Sequence, residues 1–171
     1  MIYQKFSKRQ NLTLTWWNRE QFKHCEGILC DGSIRSGKTV SMSVGFLLWS
    51  MTRFNGYQFA ICGKTIASLR RNVITMLPSL VEGIFTVIEK RSENMLIVKS
   101  GNTVNYYYLF GGRDESSYTL VQGMTLAGVL FDEVALMPRS FVEQAMARCS
   151  ISGSKIWFNC NPENPSHWFY I

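Results

Sequence analysis

The sequence predicts an α/β fold, with a mainly parallel sheet sandwiched between two layers of helices. Three observations carry this reading. Short apolar runs alternate with stretches whose apolar residues recur at helical spacing. One of these runs, "GILCDG", feeds directly into a glycine-rich loop, and a helical pattern follows at once. One pair of runs, in "MLIVKSGNTVNYYYLF", is joined instead by Ser100-Gly101-Asn102, which is the turn chemistry of an antiparallel hairpin.

Each element is justified in chain order. Residues 1–24 form a locally basic N-terminal arm, with Lys5, Lys8, Arg9, Arg19 and Lys23 set against Glu20. It reads either as a polyanion-binding arm or as a solvated surface. "GILCDG" is a short buried strand. Val40, Val44, Leu47, Leu48 and Met51 then fall on one helical face, and Asn55-Gly56 ends that helix. "YQFAIC" is a second buried strand. Ile66, Leu69, Val73, Met76 and Leu77 mark a second helix, broken near Pro78. After the hairpin, "GGRDESSYTLVQG" shows little apolar periodicity and reads as a loop. "LAGVLFDE" is a strand that ends in two acids. A helix follows Pro138, with Val142, Ala145, Met146 and Cys149 facing inward. "KIWFNCNP" is the last strand. The sequence closes on the aromatic run "HWFYI" with no terminating signal, so the expectation is a cut rather than a natural end.

Composition narrows the class. The 171 residues suffice for one domain with its own core. Apolar residues make up 46% and charged residues 18%, the proportions of an ordinary globular protein. No apolar run approaches the roughly 18 residues needed to cross a membrane, and the N-terminus lacks the apolar stretch of a secretory signal. The expectation is an intracellular protein without membrane partners. None of the five cysteines (Cys25, Cys30, Cys62, Cys149, Cys160) form a CxxC pair. They read as small buried residues in a reducing compartment rather than as a metal site or a disulfide framework. A net charge of +6 permits attraction to a polyanion.

The chemistry concentrates in three places. Gly32-Ser33-Ile34-Arg35-Ser36-Gly37-Lys38-Thr39 fits GxxxxGK[ST] at every fixed position. Glycines let the backbone curl so that successive N–H groups face a β-phosphate, and the helix start adds partial positive charge. Lys38 would reach the β- and γ-phosphates, and the Thr39 hydroxyl would sit on Mg²⁺. This motif turns the predicted α/β fold into a three-layer P-loop domain. Asp132, at the end of "GVLFD", would hold Mg²⁺ through water, and Glu133 would act as general base on the attacking water. A solvated acidic turn is the plainer reading of that pair in isolation. Asn159 or Asn161 in "WFNCNP" would sense the γ-phosphate or position water, because an amide both donates and accepts; alone, Asn-Pro is a turn signal.

These three elements in this order resemble the ATPase domain of the large terminase subunit of tailed double-stranded DNA bacteriophages. The likeness rests on "GSIRSGKT", "VQGMTLAGVLFDEVALMP" and "FNCNPENPSHWFY", with weaker support from "GKTIASLRRNVITML" and "LFGGRDESSYTLVQG". It covers most of the chain from about residue 25 onward. The resemblance implies an ATPase motor that translocates duplex DNA into an empty procapsid. It would use ATP and Mg²⁺ and work as a homo-oligomeric ring with a portal protein and a small terminase subunit. The setting would be the cytoplasm of an infected bacterial host.

By position, the resemblance places Lys38 and Thr39 on phosphate and metal and Asp132 on metal. Glu133 would be catalytic, with Asn159 and Asn161 in the motif that couples hydrolysis to movement. Arg35 would stabilise charge on the transferring phosphoryl group; the alternative is a structural ion-pair partner. Arg113 is a further candidate, reaching into a neighbour's site. The family carries an adenine-contacting segment upstream of the loop. "WWNREQF" is the candidate here, with Trp17 and Gln21 as contacts; a packed aromatic segment is the alternative. The resemblance implies that family members usually continue into a nuclease domain, and the expectation from the 171 residues given is a chain without room for it. The rivals are another P-loop DNA-dependent ATPase of helicase or recombination type, a small-molecule kinase, and a non-catalytic nucleotide-binding module.

Overall fold

The computed structural model describes residues 6–33, 36–161 and 166–169. Ile34 and Arg35 of the glycine loop therefore lie outside the described residues. Seven strands form one sheet in the order β1-β7-β6-β2-β5-β4-β3. They are β1 (Gly27–Asp31), β2 (Gln58–Gly63), β3 (Thr86–Lys90), β4 (Met95–Ser100), β5 (Thr103–Gly111), β6 (Gly128–Asp132) and β7 (Lys155–Cys160). The five strands from β1 to β5 along that order run parallel, and β4 and β3 add antiparallel. The described helices are α1 (Lys8–Thr15), α2 (Lys38–Arg53), α3 (Ile66–Leu69), α4 (Leu77–Leu80) and α5 (Arg139–Ala147).

Strand alternation sorts the core into two layers. Phe59, Ile61, Tyr107, Leu130 and Trp157 project to one face and pack against Phe46 and Trp49 of α2. Ala60, Cys62, Val129, Phe131 and Cys160 project to the other and meet Phe141, Val142 and Ala145 of α5. The three-layer arrangement read from the sequence is the one observed. Trp49, Trp157, Phe46, Phe59 and Tyr107 are all at most 1% exposed. Most of their pairs meet edge to face, with centroids between 5.1 and 6.2 Å apart. Burying each such ring is worth about 1.5–3 kcal/mol. Gly128 makes this closeness possible: a Cβ there would stand 2.5 Å from the Trp49 ring and 2.8 Å from the Lys155 carbonyl.

Several local readings are corrected. Residues 8–15 are a helix, closed by a capping box between Ser7 and Gln10, and its Thr13 and Leu14 are buried. The N-terminal stretch is thus partly core rather than only a solvated arm. Helix α2 buries ten of its residues from Ser41 to Met51, not a single face, because α1 packs against it as well as the sheet. The second helix is interrupted: α3 passes into a π-helical turn over Arg70–Ile74, with Thr75 N–H donating to the Arg70 carbonyl at 2.9 Å. Val73 and Ile74 are buried in this turn. Pro78 then opens α4 rather than merely breaking a helix. Residues 115–121, expected as loop, form a 3-10 turn capped by Asp114 that buries Val121. Strand β3 is an element the sequence pattern does not announce; it is a sheet edge whose residues alternate between exposed and half-buried.

Candidate nucleotide-binding site

Parallel strands carry their chemistry to one end of the sheet, and the register decides which side chains meet. Asp132 on β6 pairs directly with Asn159 on β7. Residues two apart on one strand share a face, so Asn159 turns with Trp157 toward the α2 side, and Asn161, just past the end of β7, meets Lys38 of α2. Cys160 between them turns to the opposite core. On the far side of β7 lies β1, whose last residue, Asp31, leads into Gly32 and the glycine loop. The loop ends at Gly37, which adopts φ 79° and ψ 14° as the cap residue of α2. This left-handed conformation suits glycine, and it sets Lys38 and Thr39 on the first turn of α2.

The side chains converge. Thr39 Oγ1 donates to Asp132 Oδ1 at 3.4 Å. Asn159 Nδ2 donates to that same Oδ1 at 2.7 Å and to Thr39 Oγ1 at 3.0 Å. Asn159 is 4% exposed, and its Oδ1 is buried without a partner among the described residues. Lys38 Nζ donates to the carbonyls of Gly32 (2.6 Å) and Ser33 (2.8 Å), to Ser36 Oγ (3.4 Å) and to Asn161 Oδ1 (3.2 Å). Burial pushes the Asp132 carboxyl above its usual range, the Asn159 hydrogen bond pulls it back, and the neighbouring Glu133 charge raises it again. Glu133 itself is half-buried, at φ 56° and ψ 52°.

Of the residues singled out in the sequence, Gly32, Ser33, Ser36, Gly37, Lys38, Thr39, Asp132, Asn159 and Asn161 are brought together, with Glu133 next in the chain to Asp132. Ile34 and Arg35 fall outside the described residues. Gln21 is not brought in. It is exposed on a 3-10 turn and does not line the cleft beside the loop, although its neighbour Phe22 does. Trp17 also packs elsewhere, donating to the Leu14 carbonyl at 2.8 Å beneath the Arg53 guanidinium. Arg113 is exposed, and its carbonyl accepts from Lys64 Nζ at 2.9 Å.

The cleft holds about 620 Å³ between α1, β1 and the glycine loop, with Gln10, Thr13, Trp16, Phe22, Ile28 and Lys38 among its walls. Sequence reasoning missed Gln10, whose Nε2 donates to the Ser36 carbonyl at 2.9 Å. The legible signal was the spacing of Ser7 and Gln10, an S-x-x-Q capping box that announces a helix start.

A lysine and a threonine at the end of a glycine loop, facing a buried aspartate on a neighbouring parallel strand, define a P-loop nucleotide-binding domain. The family profile described as terminase large subunit, T4likevirus-type, N-terminal, matches residues 29–171, and the chain belongs to that family. It is similar to the large terminase of a thermophilic bacteriophage, with 53% identity over 98% of this chain and 42% of that one, at a TM-score of 0.93. Structures of that same phage protein in complex with ADP (51% identity, 96% and 41% covered, TM-score 0.92) and with ATP-γ-S (50%, 97% and 40%, TM-score 0.90) also match. The large terminase ATPase domain of Thermus phage P74-26 shares the fold at 19% identity, over 98% of this chain and 74% of that one, at a TM-score of 0.62. No curated protein matches the chain. The chain spans about two fifths of the length of the thermophilic-phage terminase, at 42% and 41% in the first two structures.

Proposed function

We propose that this chain is the ATP-hydrolysing motor portion of a phage large terminase, and that hydrolysis drives double-stranded DNA into a procapsid. The observation that carries the reading is the meeting of Thr39, Asp132 and Asn159 beside Lys38. Such a convergence of phosphate-loop and strand-end groups serves a nucleotide and its metal. Its support is that the thermophilic-phage relative binds ADP and ATP-γ-S, at 51% and 50% identity to this chain.

The residues present fit Mg²⁺. A hydroxyl and a carboxylate supply hard oxygen ligands, and the orphaned Asn159 Oδ1 would accept from a metal-bound water. Thr39 and Asp132 would hold the ion, which when bound supplies charge neutralisation at the phosphates. Lys38 would exchange its loop carbonyls for phosphate oxygens, releasing Asn161 Oδ1 as it does so. Glu133 would take the proton of the attacking water. The cleft walled by Trp16, Phe22 and Ile28 offers an apolar seat for the base.

The partners follow from the family reading: duplex DNA held through its phosphates, a portal protein, a small terminase subunit and further copies in a ring, in the cytoplasm of an infected bacterial host. A net charge of +6 suits the first of these.

The test pairs two variants in a phosphate-release assay with nucleotide binding measured alongside. Lys38→Ala is expected to lose turnover by a factor of about 10² or more, the scale of removing one charge stabiliser from a transition state. Glu133→Gln is expected to keep ATP affinity within about twofold and lose turnover on the same scale. Wild-type turnover in Lys38→Ala would sink the site; phosphate transfer to a small acceptor without release would make the protein a kinase.

A further inference from the structure

We propose that Gln10 is a positioning residue for the phosphate loop, fixing the Ser36–Gly37 peptide so that the Gly37 N–H is presented to the phosphates of a bound nucleotide. The proposal rests on the nucleotide reading above and adds to it a residue from outside the loop.

The Gln10 amide is used at both ends. Oε1 accepts from the Ser7 N–H at 2.8 Å, while the Gln10 N–H donates to Ser7 Oγ at 3.3 Å, closing the start of α1. Nε2 reaches across 26 positions in the chain to donate to the Ser36 carbonyl at 2.9 Å. The peptide bonds of the described residues are trans, and across a trans peptide the carbonyl and the following N–H point in opposite directions. Holding Ser36 O toward α1 therefore turns the Gly37 N–H away from α1. In a loop of this class that N–H belongs to the row of backbone donors that cradle phosphate.

The residue types agree. A capping box accepts glutamate or glutamine at its last position, so helix capping alone does not select an amide. Only the amide also offers a donor to Ser36 O. Gly37 takes φ 79°, which favours glycine, and the Gln10 amide lies against its Cα on the side where a Cβ would stand.

Two substitutions in the protein test this. Gln10→Met removes the donor at similar size and no charge; Gln10→Glu removes it while keeping the Ser7 N–H acceptor and hence the cap of α1. Displacement of a fluorescent ADP analogue is measured with ADP and with inorganic pyrophosphate, which reports the cradle without the base. Both variants are expected to weaken ADP and pyrophosphate in parallel, by about tenfold, as loss of an oriented hydrogen-bond donor to a charged ligand would do. The ratio of ATP to GTP affinity should stay at the wild-type value. Unchanged affinity in Gln10→Met overturns the proposal, even if Gln10→Glu weakens binding through its charge. Weaker ADP with unchanged pyrophosphate overturns it too, assigning Gln10 to the base. A wild-type protein that binds no ADP would instead remove the nucleotide reading itself, and this proposal with it.

Discussion

Glu133 stands at φ 56° and ψ 52° where β6 ends, one of two non-glycine residues with positive φ among those described. A side chain in that region costs about 1–3 kcal/mol and persists where the surroundings hold it. Here the turn lets a second carboxylate follow Asp132 without continuing the strand. The acid pair was legible in "VLFDE"; the turn that separates its two members was not, because nothing in the residue types demands it. Cysteine chemistry is set at the same scale. Cys25 is exposed, whereas burial raises the thiols of Cys30 and Cys62 and pushes that of Cys149 up to about 12. The thiolate is the nucleophile, so a raised pKa means less reactive sulfur at neutral pH. Maleimide at neutral pH is expected to label Cys25 alone in the folded protein, with the others reacting only in denaturant. Mass spectrometry of the labelled peptides checks this.

Among the elements, α2 is held at both ends. Its first turn carries Lys38 and Thr39, and its last carbonyls meet Asn105 of β5, which is fully buried. Asn105 Nδ2 donates to the carbonyls of Ser50 (3.2 Å) and Phe54 (2.9 Å), and its Oδ1 accepts from the Tyr57 N–H at 3.0 Å. One amide thus satisfies the open end of a helix and the turn that follows it. Asn105→Ala would take this partner from the Phe54 carbonyl and the Tyr57 N–H, while the Ser50 carbonyl keeps the Phe54 N–H at 3.0 Å. It is expected to cost about 2–3 kcal/mol in urea unfolding, with nucleotide affinity retained in the folded fraction. Nothing in "TVNYYYLF" marks Asn105 as a cap, since its partners Ser50, Phe54 and Tyr57 lie 55, 51 and 48 positions earlier. The hairpin around it was legible because Gly101 and its neighbours are local turn chemistry. The π-helical turn at Arg70–Ile74 escaped for the converse reason: its register is set by packing and not by residue type.

At the scale of the molecule, the sandwich follows from patterning alone, and the two cores fall where alternation puts them. Phe46 is the ring that Trp49, Phe59, Tyr107 and Trp157 share. Phe46→Ala would open a cavity that these rigid neighbours cannot close. A loss of about 3–5 kcal/mol is expected by thermal or urea unfolding. What the sequence hid at this scale is the order of strands, and so which loops become neighbours. "GSIRSGKT" and "NCNP" were each readable as candidates. Their contact, through Lys38 and Asn161, depends on a pairing between the strands that precede them.

That pairing has a consequence for how the protein comes to be made. Among the described residues, β1 pairs in the sheet with β7 alone, and β7 slots between β1 and β6. The first strand of the sheet to be synthesised therefore waits for the seventh. Closing so long a span of chain is slow compared with forming a hairpin or a helix. Until Lys155–Cys160 has been synthesised and docked, the glycine loop has neither a fixed strand behind it nor Asn159 and Asn161 beside it. On the proposed reading, competence for nucleotide would in this way be a late event of assembly, acquired only once β7 has slotted home.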